Sequence, residues 1–170
     1  MKIWDELREL ARQIKADEPK LRNRNLASKM EISEGELISL YINENTIRLE
    51  GDWKELLKEI NTMGYVMGLT RNEHAVHERK GVYDNITFYD GPANMGVAVN
   101  PDIDLRLFMN QWKYGFAVIM DRGNDKKLYS FQFFNENGEA VHKIFSTPKS
   151  DIEAYHKLVE KYKSENQTPI

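Results

Sequence analysis

Cysteine is absent from the 170 residues. That excludes a disulfide scaffold, a thiolate nucleophile, a zinc knuckle and an iron–sulfur cluster in one step. Long apolar runs are missing too: no window approaches the roughly 18 consecutive apolar residues of a membrane-spanning helix. The N-terminal MKIWDELRELARQIK is amphipathic and charged throughout, without the apolar centre of a secretory signal. Basic charge is not in excess. Lys+Arg of 24 against Asp+Glu of 27 gives a formal charge of −3, which is no footprint for general nucleic-acid binding. Gly-rich phosphate cradles, a GxSxG nucleophile elbow and an HExxH zinc motif are all lacking. The expectation is a cytoplasmic protein that neither enters a membrane nor reads nucleic acid.

What is present suits one folded domain, with 41% hydrophobic and 11% aromatic residues. Ile3, Leu7, Leu10, Ala11 and Ile14 recur at helical spacing, predicting a first helix over 2–16 that Pro19 ends. A second helical pattern covers 25–30, and Ser33 with Glu36 forms a capping-box signal for a third. LASKMEISEGELISLY has the outline of a helix-turn-helix. Its second helix opens on Glu34 and Glu36 without a basic residue, so phosphate repulsion favours a packing role. A short strand is expected at 46–50. Asp52 caps a helix with Trp53, Leu56, Leu57 and Ile60 on one face, ending near Gly64. Beyond Gly64 the period changes to two, predicting strands at 65–70, 75–80, 95–100, 103–109, 115–121, 128–134 and 141–146. Pro148 breaks the pattern, and Ser150 or Asp151 opens a closing helix. Helices, then antiparallel strands, then a helix is an α+β order: N-terminal helices, a large antiparallel meander and a C-terminal helix.

The most informative stretch is Asn100 to Trp112, NPDIDLRLFMNQW. As a strand it puts Ile103, Leu105, Leu107 and Met109 on one face, and Asp104, Arg106, Phe108 and Asn110 on the other. The first is a core face. The second sets a guanidinium beside an aromatic ring, which suits a flat, anionic or metal-bearing ligand. The plainer alternative is that Arg106 pairs with Asp104 on an ordinary surface.

Of the four histidines, His74 and His77 lie three apart in RNEHAVHERKG. On a strand that spacing points them to opposite faces, which disfavours a shared metal. A single histidine could still serve as an axial or hydrogen-bonding ligand. His142 is expected at a surface or edge, and His156 on a solvated helix face. No catalytic residue and no metal-ligand set is evident.

RNEHAVHERKG and NPDIDLRLFMNQW together resemble the HemS/ChuS/HmuS-type haemin-degrading and haem-trafficking family. FQFFNENGEAVHKIF resembles its meander and LASKMEISEGEL its helical lead-in, so the resemblance runs over nearly the whole chain. It implies the first of two tandem α+β modules. The module would span 1–163, with a helical lead-in at 1–63, the antiparallel sheet at 64–146 and the closing helix at 150–163. Residues 164–170 would be a linker or frayed tail. It also implies a b-type haem as ligand or substrate, Arg106 over the haem face opposite the axial ligand, and Phe108 packed on the porphyrin. His77 matches a characteristic family position and is a weaker haem-site candidate. The family's axial histidine comes from the second module, so a second module or a homodimer partner would be needed, and an electron donor for haem breakdown. The rival reading is a non-enzymatic interaction or dimerisation module that binds no haem on its own.

Overall fold

The structure, a computed structural model, describes residues 2–170. Helices α1 (Lys2–Asp17), α2 (Asn23–Lys29) and α3 (Glu34–Ser39) close around Ala11, Leu26, Ala27, Met30, Leu37 and Leu40. The capping box forms as its sequence signal predicts. Ser33 Oγ accepts from Glu36 N at 3.1 Å, and Glu36 Oε1 accepts from Ser33 N at 3.2 Å. Glu34 does not face outward. It is buried in an ion pair with Lys143, and Ile38 and Ile42 beside it pack on Phe116, Val118 and Phe134. The helical pair is therefore seated on a sheet.

That sheet has six antiparallel strands in the order β1-β7-β8-β9-β2-β3. They are β1 (Thr46–Leu49), β2 (Gly64–Arg71), β3 (Val76–Val82), β7 (Tyr114–Asp121), β8 (Lys127–Phe134) and β9 (Ala140–Ser150). A separate three-stranded sheet consists of β4 (Ile86–Phe88), β5 (Met95–Val99) and β6 (Asp104–Phe108). The α+β class is as expected, but the single meander resolves into two sheets. β1 comes from the helical lead-in and pairs with β7 far along the chain. β9 runs on through Pro148 to Ser150, because it leaves its register with β2 by an irregularity between Gly64 and Val66.

Helices α4 (Trp53–Glu59) and α5 (Ile152–Tyr162) contribute Leu56, Leu57, Tyr155, Leu158 and Val159 to the main core, where Phe131, Phe133 and Ile144 meet them from the large sheet. Asp151 is the cap of α5, its carboxylate accepting from Ala154 N at 3.1 Å. The small sheet joins the same core through Ala98, Ile103 and Leu107.

Residues 164–170, expected to form a linker or fray, are held against β1. Ser164 N donates to Arg48 O at 2.9 Å, and Gln167 Oε1 accepts from Arg48 N at 3.0 Å. Ile170 packs with the cluster under α3, and its N donates to Ser39 Oγ at 3.1 Å. A polar tail can fill a strand edge when its side-chain amide reproduces the missing ladder bonds.

Candidate functional site

The small sheet has two unlike faces, and its register shows why. Phe88 is opposite Gly96, which is opposite Leu107; Ile86 is opposite Ala98, which is opposite Leu105. This face looks inward, and small residues in β5 make room for large ones beside them. A Cβ on Gly96 would come within 2.6 Å of the Phe88 ring. The outward rows are Thr87–Val97–Arg106 and, one step on, Met95–Phe108 with Tyr89, whose N donates to Met95 O at 2.8 Å. Val99 and Asp104 complete the face.

This outer face is open and mixes apolar side chains with Thr87, Arg106 and Asp104. Tyr89 is 52% exposed, Phe108 51% and Val99 40%, three of the six large apolar residues that stand exposed among the described residues. Three strands about 4.8 Å apart, with rows about 7 Å apart, make a mat of roughly 10 by 14 Å. Three exposed large apolar side chains gathered beside a guanidinium make this face a candidate ligand or partner surface. Arg106 Nη1 lies 2.5 Å from Asp104 Oδ1, so the plain pairing read in the sequence is present as well. Both members are exposed, and such a pair contributes only about 0–1 kcal/mol, so the guanidinium remains open to another anion.

Named anchors hold the mat in place. Lys54 Nζ of α4 donates to Asn94 Oδ1 at 2.7 Å, and Lys58 Nζ lies 5.6 Å above the Phe88 ring. At the other end Asn100 organises the β5–β6 turn. Its Nδ2 donates to Val82 O at 2.8 Å and Asp84 Oδ1 at 2.7 Å, while its Oδ1 accepts from Asp102 N at 2.9 Å and Ile103 N at 2.8 Å. Arg79 on β3 clamps the same turn through Asp102 O at 2.9 Å and Oδ1 at 3.0 Å.

Between the two sheets lies a narrow cleft lined by Thr70, His77, Tyr83, Asp104, Leu105 and His142. His77 is exposed on β3, opposite Thr70, and stands across this cleft from the start of β6. It is not on the mat that carries Arg106 and Phe108. His74 is in the turn before β3, so the two histidines do not converge.

His142 corrects the expectation of a surface position: it is 3% exposed. β9 is an inner strand between β8 and β2 and not an edge, and on its face Tyr83 and Trp112 cover the imidazole, with ring centroids 5.9 and 6.0 Å away. Its Nδ1 lies 2.9 Å from Thr70 Oγ1 and its Nε2 2.7 Å from Tyr83 Oη. A neutral ring satisfies both hydroxyls, donating at one nitrogen and accepting at the other. Burial lowers its pKa from 6.5 to about 4 and pushes the Tyr83 phenol upward. Gly68 makes this contact sterically allowed, since a Cβ there would fall 2.0 Å from Tyr83 Oη.

A sequence model of the haemin-degrading HemS/ChuX domain matches residues 31–162. The chain belongs to this family. Hemin transport protein HemS of Yersinia enterocolitica is 38% identical over 151 residues, covering 88% of this chain and 43% of that protein. Among solved structures, holo-PhuS, a heme-binding protein from Pseudomonas aeruginosa, matches with a TM-score of 0.92 at 39% identity, covering 98% of this chain and 48% of PhuS. ChuS, described as an E. coli heme oxygenase, matches with a TM-score of 0.80 at 32% identity, covering 86% and 44%. This HemS/ChuX chain spans about half the length of these three proteins.

Within the HemS/ChuX chain, the structure brings Arg106 and Phe108 onto one open face and sets His77 apart from them. Tyr89, Met95, Val97 and Val99 were not singled out from the sequence. The signal was present in NMGVAV, where bulky and small residues alternate. Bulk alone assigns Met95, Val97 and Val99 to the core. The structure buries Gly96 and Ala98 instead, because Phe88 and Leu107 already fill the inner side.

Proposed function

We propose that this chain is a haem-binding module of haem utilisation. In the complete protein it contributes to haem trafficking, to haem degradation with iron release, or to both. One observation carries this reading: in a haemin-degrading domain, Tyr89, Val99 and Phe108 stand exposed on one flat face beside Arg106. Haem needs apolar cover for its ring, cations for its propionates and a donor for its iron. The mat fits the first requirement, and Arg106 supplies one guanidinium. In this reading Arg106 lies over the ring and Phe108 packs against it.

None of the described histidines belongs to β4, β5 or β6. The iron's own ligand would come from a second module of the same kind or from a partner copy; His77, across the cleft, is the weaker haem-site candidate. Degradation would belong to that larger assembly and would also require an electron donor. No residue of this chain is assigned a catalytic role.

Haemin titration followed by Soret absorbance tests the reading. The expected result is saturable binding that is weak for a haem protein. Absence of binding, together with haem-independent dimerisation that buries Phe108, would make the face an interaction surface instead.

A further inference from the structure

We infer that the outer face of β4–β6 recognises the porphyrin ring and not its metal, so this module takes metal-free porphyrin about as readily as haemin. The inference rests on the haem-binding reading above and concerns which part of the ligand the face selects.

Donor placement comes first. Protein ligands to haem iron are histidine, methionine, cysteine or tyrosine. Cysteine is absent. His142 has both nitrogens engaged, by Thr70 and Tyr83. His156 is on α5 with its ring edge-on to Tyr129, centroids 5.4 Å apart, while His74 and His77 belong to the β2–β3 end of the large sheet. The donors left on the face are Tyr89 and Met95; Met95 is paired with Phe108 on β6, and Tyr89, one residue past β4, completes the row through its N–H to Met95 O.

That row is built for area. Side chains directly opposite on paired strands stand side by side, and a thioether between two aromatics is a soft, polarisable filler. Val97 and Val99 extend it with β-branched side chains that offer contact surface and no donor. Burial on such a surface scales with the apolar area covered, which a ring provides with or without iron. Arg106 behaves alike towards both ligands: a guanidinium is attracted to a π-face and to a carboxylate whatever the ring holds. Chemical selection at this face is therefore for a planar, anionic tetrapyrrole. Selection for iron would be added by a donor from outside it.

The chain is titrated in parallel with haemin and with metal-free protoporphyrin IX, following tryptophan quenching and ligand absorbance. The two dissociation constants are expected within about threefold of each other. Phe108→Ala and Val99→Asp should weaken both ligands together, by about tenfold. Tyr89→Phe and Met95→Leu should leave the haemin spectrum unchanged, since each keeps bulk and removes only the donor atom. Haemin bound more than about tenfold tighter than the metal-free ring overturns the inference while leaving haem binding intact. A Soret shift in Tyr89→Phe or Met95→Leu overturns it as well, by putting iron on that atom. Failure of both ligands to bind removes the haem-binding reading itself, and the inference with it.

Discussion

Arg106 and Phe108 stabilise the fold little, which makes them clean probes of binding. The Arg106–Asp104 pair is solvent-exposed and Phe108 is about half-exposed, so truncating either should cost less than about 1 kcal/mol of folding stability. If they face haem, Arg106→Ala and Phe108→Ala should each weaken haemin binding by about tenfold. Titration and urea unfolding on the same samples separate the two effects; unchanged affinity in both variants would remove this strand from the site. His142 is the opposite kind of residue. Its pKa is about 4 in the fold against 6.5 for a free side chain, because burial penalises the charged ring. The unfolded chain therefore takes up a proton first as pH falls. The stabilisation is complete above pH 6.5 and is lost between 6.5 and about 4, a change on the order of 3 kcal/mol. In His142→Gln the stability–pH curve should be flatter over that window. Identical slopes would assign the acid sensitivity to carboxylates.

At the scale of elements, the β5–β6 hairpin depends on one side chain. Asn100 ties the turn to itself and to the end of β3 through four hydrogen bonds. Asn100→Ala should cost about 2–4 kcal/mol by leaving several backbone groups unpaired. It should also lower haemin affinity by tilting the strand that carries Arg106. Asn100→Asp keeps the accepting oxygen and loses the donor, so an intermediate loss is expected in urea unfolding. Gly68→Ala tests the neighbouring strut: its methyl group would displace Tyr83 from His142, with a cost of about 2–3 kcal/mol. The alternation of DLRLF was legible because a strand's period of two needs no tertiary knowledge. The role of Asn100 was not. Its partners Val82 and Asp84 lie 18 and 16 residues away, and no local pattern announces them.

For the whole molecule, the edges of the large sheet are treated differently. The C-terminal residues cover β1, whereas β3 stays open and is lined by His77, Glu78, Arg79 and Lys80, charges that discourage pairing with another strand. Removing 164–170 should expose the β1 edge and the cluster around Phe116. A loss of about 2–4 kcal/mol and a lower urea midpoint are expected, with unchanged haemin affinity because the mat lies in the other sheet. Equal midpoints would mean that the tail only rests on the sheet. The same polar SENQTPI reads as a loose end in sequence, because side-chain amides that replace ladder bonds look no different from solvated ones.

The sequence alone determined the helix caps, the succession of strands other than β4, the α+β class and the family likeness, all properties of local spacing or of residue order. It also determined which residues of DLRLF share a face, since chirality and strand geometry settle that without neighbours. Only the tertiary structure decided what covers each face. It laid Tyr83 and Trp112 over His142 and so buried it, and it paired β4 with β5 apart from the large sheet. That left Tyr89, Met95, Val97 and Val99 open beside Arg106 and Phe108. The physical reason is that periodicity reports which side chains point the same way, while burial depends on strands and helices brought together from distant parts of the chain.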